Sequence, residues 1–165
     1  MRVPIRKKEN YRQPKPDPYI TAAKYQELKK RLIWYKNIKR PRLSQEVQHL
    51  ASMGDFSENA GYQLAKSRLR NLNNRILAIE EQLKHAQIIN PSNKDKVEIG
   101  SLVTITINKN TKTYRLLGSS ETNPSAGIIS YSSPLGQALL NHQVGDKIEL
   151  ERQNKKIIYQ IIKID

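Results

Sequence analysis

An α+β protein is predicted, an antiparallel α-helical coiled-coil hairpin followed by a small α+β domain, and three observations predict it. Tyr62, Ala65, Leu69, Leu72, Ile76, Ile79, Leu83 and Ala86 step 3-4-3-4-3-4-3, an unbroken heptad seam of the kind that pairs helices in a left-handed supercoil. The stretch from Ala51 to Tyr62 sets Gly54 between two long helical segments, which makes it the bend of a hairpin. Beyond Asn90-Pro91 the texture changes to short β-branched runs separated by turn residues.

Taken in order, residues 1–20 form a basic extension with Pro4, Pro14, Pro16 and Pro18. It holds too few large apolar side chains for a core and reads as flexible. Residues 21–90 are the hairpin, with its tip near 54–58. Thr21 is the N-cap of the first helix, and Tyr25, Leu28, Leu32 and Tyr35 are its apolar stripe. Leu43, Val47 and Leu50 resume the stripe with the phase slipped, and Pro41 between them predicts a kink near Arg40-Pro41. With the second helix from 55 to 88, each arm is a rod of about 50 Å at 1.5 Å per residue.

Residues 91–100 read as a linker, and 101–165 as the second domain. Leu102–Ile107 and Thr113–Leu117 predict a β-hairpin, and Gly127–Tyr131 a third strand. A short helix follows over Leu135–Leu140, with Pro134 at its first position. Lys147–Leu150 and Ile157–Ile162 complete a mostly antiparallel sheet.

Composition narrows the function. There is no cysteine, hence no disulfide, thiol nucleophile or zinc-finger ligand set. No apolar run approaches the roughly 20 residues of a membrane span, and the N-terminus has no signal-peptide core. A soluble, cytoplasmic protein is the expectation. The net charge of +14 points to a polyanionic partner. It is uneven: six Lys and Arg against two Asp and Glu in residues 1–20, thirteen against six in 21–90, ten against seven in 91–165.

The bend places two carboxylates, Asp55 and Glu58, on an otherwise basic arm. Asp55-x-x-Glu58 fits a capping box, in which both acids serve only the helix. Ser57 is an equally good cap, which would leave both carboxylates outward. If the helix has begun by then, the two share a face with Cβ atoms about 5–6 Å apart. Two carboxylates are too few for a strong Mg²⁺ site, yet they can complete one half-built on another molecule. Behind them Lys66, Arg68, Arg70 and Arg75 offer contacts to a phosphate backbone.

The bend Gly54-Asp55-Phe56-Ser57-Glu58-Asn59-Ala60-Gly61-Tyr62 resembles the signature tip of the bacterial Gre transcript-cleavage factors, closer to the GreB type. Arg40-Pro41, Tyr114–Gly118 and Ser130–Leu140 look like further family segments in the expected order. The resemblance implies an FKBP-like C-terminal domain, and a monomer that inserts its hairpin into the secondary channel of bacterial RNA polymerase. There it would stimulate hydrolysis of the backtracked nascent RNA at its 3′ end. It implies that Asp55 and Glu58 support a Mg²⁺ ion shared with the polymerase active site, and that none is held tightly by the chain alone. By the same resemblance Ser57 positions the tip, Lys66, Arg68 and Arg70 meet RNA, and Ser133 and Pro134 contact the channel rim. Gly61 stands where the family commonly has an acidic residue, and Gln137 where it usually has a basic one.

Three other functions compete. A channel binder that does not cleave is favoured by Gly61. A prolyl isomerase is disfavoured, since residues 91–165 hold no Trp or Phe to line a pocket. A sequence-specific DNA reader lacks any helix-turn-helix or zinc signature, which leaves only nonspecific electrostatic binding.

Overall fold

The structure, a computed structural model, describes residues 17–53, 59–91, 95–107, 110–152 and 155–165. Of the extension predicted over residues 1–20, residues 1–16 lie outside this range. The remaining four belong to the fold. Strand β1 (Tyr19–Ile20) pairs in parallel with β2 (Gln87–Ile88), and the Ile20 side chain is fully buried.

Helix α1 (Ala22–Trp34) starts as predicted, with Thr21 Oγ1 accepting from Lys24 N at 3.2 Å. It runs into a π-helical segment, Tyr35–Lys39, and then into α2 (Arg40–Ala51). The helix runs on through Pro41, where a kink was predicted, with the π turn just ahead of it, and the phase slip explains that turn. An unbroken heptad from Tyr35 would continue at positions 39, 42, 46 and 49, whereas Leu43, Val47 and Leu50 come one residue late. A π turn takes up one extra residue, and Arg40 N duly donates to the Tyr35 carbonyl. Leu43, Val47 and Leu50 are thereby half-buried while Arg42 and His49 face water. The wider turn also relieves the clash that a proline ring makes with the carbonyl four residues earlier.

Helix α3 (Ala60–Lys84) packs along both α1 and α2. Ala65, Leu72 and Ile76 are buried in the seam with Leu28 opposite, and each large apolar side chain so placed contributes about 1.5–3 kcal/mol. The helix begins later and ends earlier than the predicted 55–88.

The second domain is a five-stranded sheet in the order β5-β4-β3-β7-β6. Its strands are β3 (Leu102–Ile107), β4 (Asn110–Leu117), β5 (Ile128–Ser130), β6 (Lys147–Arg152) and β7 (Lys155–Ile164). All neighbours are antiparallel except β4 and β5. Helix α4 (Pro134–Leu139) lies on one face, where Val97, Val103, Ile105, Leu116, Leu139 and Ile161 form the core. Val97 belongs to the stretch read as linker, so the domain takes in part of that segment.

The hairpin's root is fastened to this domain by two carboxylates. Asp17 Oδ2 accepts from Ser119 N and Ser119 Oγ, both at 2.7 Å, and Oδ1 accepts from Tyr19 N at 3.0 Å and Tyr131 Oη at 3.3 Å. Glu121 accepts from Thr21 N and, at 2.7 Å, from Thr21 Oγ1. The chains approach so closely that a Cβ at Gly118 would run into the Tyr19 carbonyl. Tyr19 and Tyr131 stack edge to face with centroids 5.5 Å apart. Burial, reinforced by the Asp17 charge, holds the Tyr131 phenol above its ordinary pKa.

Candidate functional site

The acidic motif is bracketed by two helix ends that one side chain ties together. Asn59 caps α3, its Oδ1 accepting from Tyr62 N at 2.9 Å. Its Nδ2 donates at 3.0 Å to the Leu50 carbonyl in the last turn of α2, which from the backbone of that turn receives a bond from Met53 N at a long 3.4 Å. Asn59 thus meets the needs of both ends of the bend at once. Asp55, Ser57 and Glu58 lie outside the described residues. The cap that the sequence offered to Asp55 or Ser57 belongs to Asn59, and α3 begins beyond both carboxylates, so the face predicted for them is not a face of this helix.

The basic side chains do not form one patch. On α3, Lys66 and Arg70 lie on one flank of the seam, since each follows a seam residue. Arg68 and Arg75 precede seam residues and lie on the other flank. Lys66 Nζ sits 5.5 Å from the centroid of the Tyr62 ring. On the same flank, toward the root, Lys36 of the π segment pairs with Glu80.

The opposite flank carries a groove of about 260 Å³ lined by Lys39, Leu43, Arg68, Asn71, Leu72 and Arg75. Leu43 and Leu72 supply its apolar part and three cations its charge. Arg68 also reaches Glu46 at 3.5 Å. Sequence reasoning grouped Lys66, Arg68 and Arg70 and left out Lys39 and Asn71. The signal that could have found Lys39 was the same phase slip, because the π turn carries it to the edge of the seam, while Asn71 could have been counted from its place just before the seam residue Leu72.

Comparison with known proteins decides the family. The model "Transcription elongation factor, N-terminal" matches residues 18–88, and "Transcription elongation factor, GreA/GreB, C-term" matches residues 91–165. The transcription elongation factor GreA of Thermomicrobium roseum is 36% identical over 148 residues, covering 88% of this chain and 95% of that one. This chain belongs to the GreA/GreB family. A GreB of Haemophilus ducreyi is also 36% identical, over 88% of this chain and 92% of its own. Among solved structures, GreA factor homolog 1 of Thermus thermophilus is 25% identical, covering 88% of this chain and 97% of that one, with a TM-score of 0.41.

Ser133 and Pro134, the two residues expected at the channel rim, sit at the start of α4. Ser133 Oγ caps that helix by accepting from Gly136 N at 3.1 Å and donates to the Ser130 carbonyl at 2.6 Å. Its hydroxyl is committed to the fold, which leaves Pro134 as the exposed member of the pair. No group of three or more His, Cys, Asp or Glu side chains stands together among the described residues.

Proposed function

We propose that this Gre-family chain stimulates hydrolytic cleavage of backtracked nascent RNA by inserting its hairpin into the secondary channel of RNA polymerase. The single observation that carries the reading is the tied bend. A stiff basic hairpin ends in two helices clamped by Asn59, with an acidic pair in the eight residues, 52–59, between them.

Asp55 and Glu58 are the residues that would hold a Mg²⁺ ion together with the polymerase. When bound, such an ion polarises a phosphodiester and lowers the pKa of a coordinated water. The rest of the task falls to the chain itself. The hairpin carries the acidic motif at its far end, and the Asn59 clamp ties together the two helix ends that bracket it. Lys66 and Arg70 on one flank and Arg68 on the other neutralise the RNA backbone on either side. Pro134, beside the Ser133 cap, would meet the rim of the channel. The protein is an accessory factor in this reading, with no complete catalytic centre of its own.

The test is a stalled, backtracked elongation complex supplied with the purified protein. Wild type shortens the RNA, while Asp55→Ala and Glu58→Ala bind polymerase and leave its length unchanged. Cleavage retained in both variants refutes the role given to the carboxylates. Binding and slowed elongation without cleavage by the wild type would establish the occluding reading instead. Gly61 gives that alternative less support than its position suggests. A Cβ there would stand 3.3 Å from Asn59 Oδ1, so the glycine leaves room for the cap.

A further inference from the structure

The groove on the Arg68 flank has features that a contact for passing RNA does not need. Three cations converge on about 260 Å³, and among the described residues no carboxylate lines it. Lys39 and Arg75 form no ion pair among the described residues, and the one acid near Arg68, Glu46, is at a long 3.5 Å. A nucleic-acid strand presents one charge per nucleotide spread along its backbone. A nucleoside di- or triphosphate concentrates several on a short chain, which suits a compact trio of cations better.

The second observation is an aromatic surface joined to the groove by a shared residue. Trp34, the sole tryptophan of the chain, is 45% exposed although it abuts the seam. Lys39 Nζ, which lines the groove, stands 5.3 Å from the Trp34 ring centroid and 5.6 Å from that of Tyr35. An exposed indole beside a cation is a stacking surface for a nucleobase. The π segment puts Lys39 in this position, and π turns occur frequently at functional sites.

We propose that the hairpin binds a free nucleoside polyphosphate, with the phosphates held by Lys39, Arg68, Asn71 and Arg75 and the base stacked on Trp34. The site shares Arg68 with the RNA contact proposed above, but it needs neither Asp55 nor Glu58. It makes the hairpin responsive to nucleotide concentration.

Trp34 supplies the probe. The full-length protein is titrated with GTP, and Trp34 fluorescence is followed with excitation at the red edge of its absorption. Saturable quenching is expected. Guanosine gives none, and tripolyphosphate competes with GTP without quenching. Arg75→Gln, an exposed change whose folding is checked by circular dichroism, weakens the apparent Kd about tenfold, as loss of a charged hydrogen bond does. Trp34→Phe, followed by calorimetry, weakens it several-fold while tripolyphosphate binding is unchanged. Absence of saturable quenching at millimolar GTP overturns the proposal. Single-stranded oligouridylate binding far more tightly than GTP through Arg75 and Trp34 overturns it in favour of a strand. Preferential binding of an acidic peptide overturns it in favour of a protein partner.

Discussion

Replacing Asn59 by alanine tests whether one amide sets both the stability of the bend and the delivery of its carboxylates. Two interactions are lost. The first is the cap on Tyr62 N at 2.9 Å, and removing an Asn cap costs about 1 kcal/mol within a range of 0.5–2. The second is the 3.0 Å bond to the Leu50 carbonyl, worth about 1 kcal/mol in a half-buried setting. The sum, about 2 kcal/mol, lowers the melting temperature by about 4–8 °C at this chain length. Asn59→Asp separates the parts, because a carboxylate still caps α3 and also suits the positive end of the helix dipole. It cannot donate to Leu50, so it loses about half the stability that alanine loses. Circular dichroism melts measure both changes, and the cleavage assay is run on the same proteins. Both variants should cleave poorly, since small displacements of reacting groups cost orders of magnitude in rate. Wild-type melting and cleavage for Asn59→Ala would refute the clamp, and full cleavage by Asn59→Asp would show that the tie to Leu50 is not needed.

Four other outcomes follow from the packing. Deleting Asn37 together with Pro41→Ala, which removes the ring that an α-helical turn would clash with, turns the π turn into α-helix and leaves Leu43, Val47 and Leu50 facing α3, so urea unfolding should show a loss under about 1 kcal/mol. Deleting Gln45 instead rotates Val47 and Leu50 by about 100° and should cost several times more. Gly61→Ala should gain less than the ~0.5–1 kcal/mol typical of helix interiors, because its Cβ meets the pinned Asn59 Oδ1 at 3.3 Å; the same urea titration reads it. Leu72→Ala, at a site 4% exposed, should cost about 2–5 kcal/mol and abolish cleavage by loosening the hairpin. Finally, the fold keeps Tyr131 protonated above its ordinary pKa, first through burial and then through Asp17. The unfolded chain ionises near pH 10 while the folded one does not, so stability is whole below about pH 10 and falls as pH rises toward the folded value. Tyr131→Phe should reduce that alkaline loss, as measured by melts between neutral and alkaline pH.

The parts of the fold that follow local rules were legible. The α3 seam is periodic over its whole length, and Thr21 and Ser133 cap the helices they precede. The β-branched runs became strands β3, β5, β6 and β7 with small shifts at their ends. What escaped was set by partners distant in sequence. Tyr19–Ile20 has no strand signature of its own and becomes a strand only because Gln87–Ile88 lies beside it. The phase slip between Tyr35 and Leu43 was visible, and a kink was expected from Pro41, but the added residue in the turn that takes up the slip was not foreseen. Asn59 was hidden behind Asp55 and Ser57, which are equally good caps by composition. Only the neighbouring Leu50 carbonyl favours a residue that accepts and donates together. That Lys66 and Arg70 share a face was read from their i, i+4 spacing, and the placing of Arg68 on the other flank could have been counted from the seam. The joining of Arg68 to Lys39 could not, since it crosses between helices whose register the π turn sets.

The parallel pair of β1 and β2 has a mechanical meaning. Because the strand entering the hairpin is stitched to the strand leaving it, neither arm can slide lengthwise against the other at the root. Load applied to the far end arrives as bending of a single beam. Asp17 and Glu121 pass that bending to the loop ahead of β5, so whatever grips the sheet domain also sets the aim of the far end.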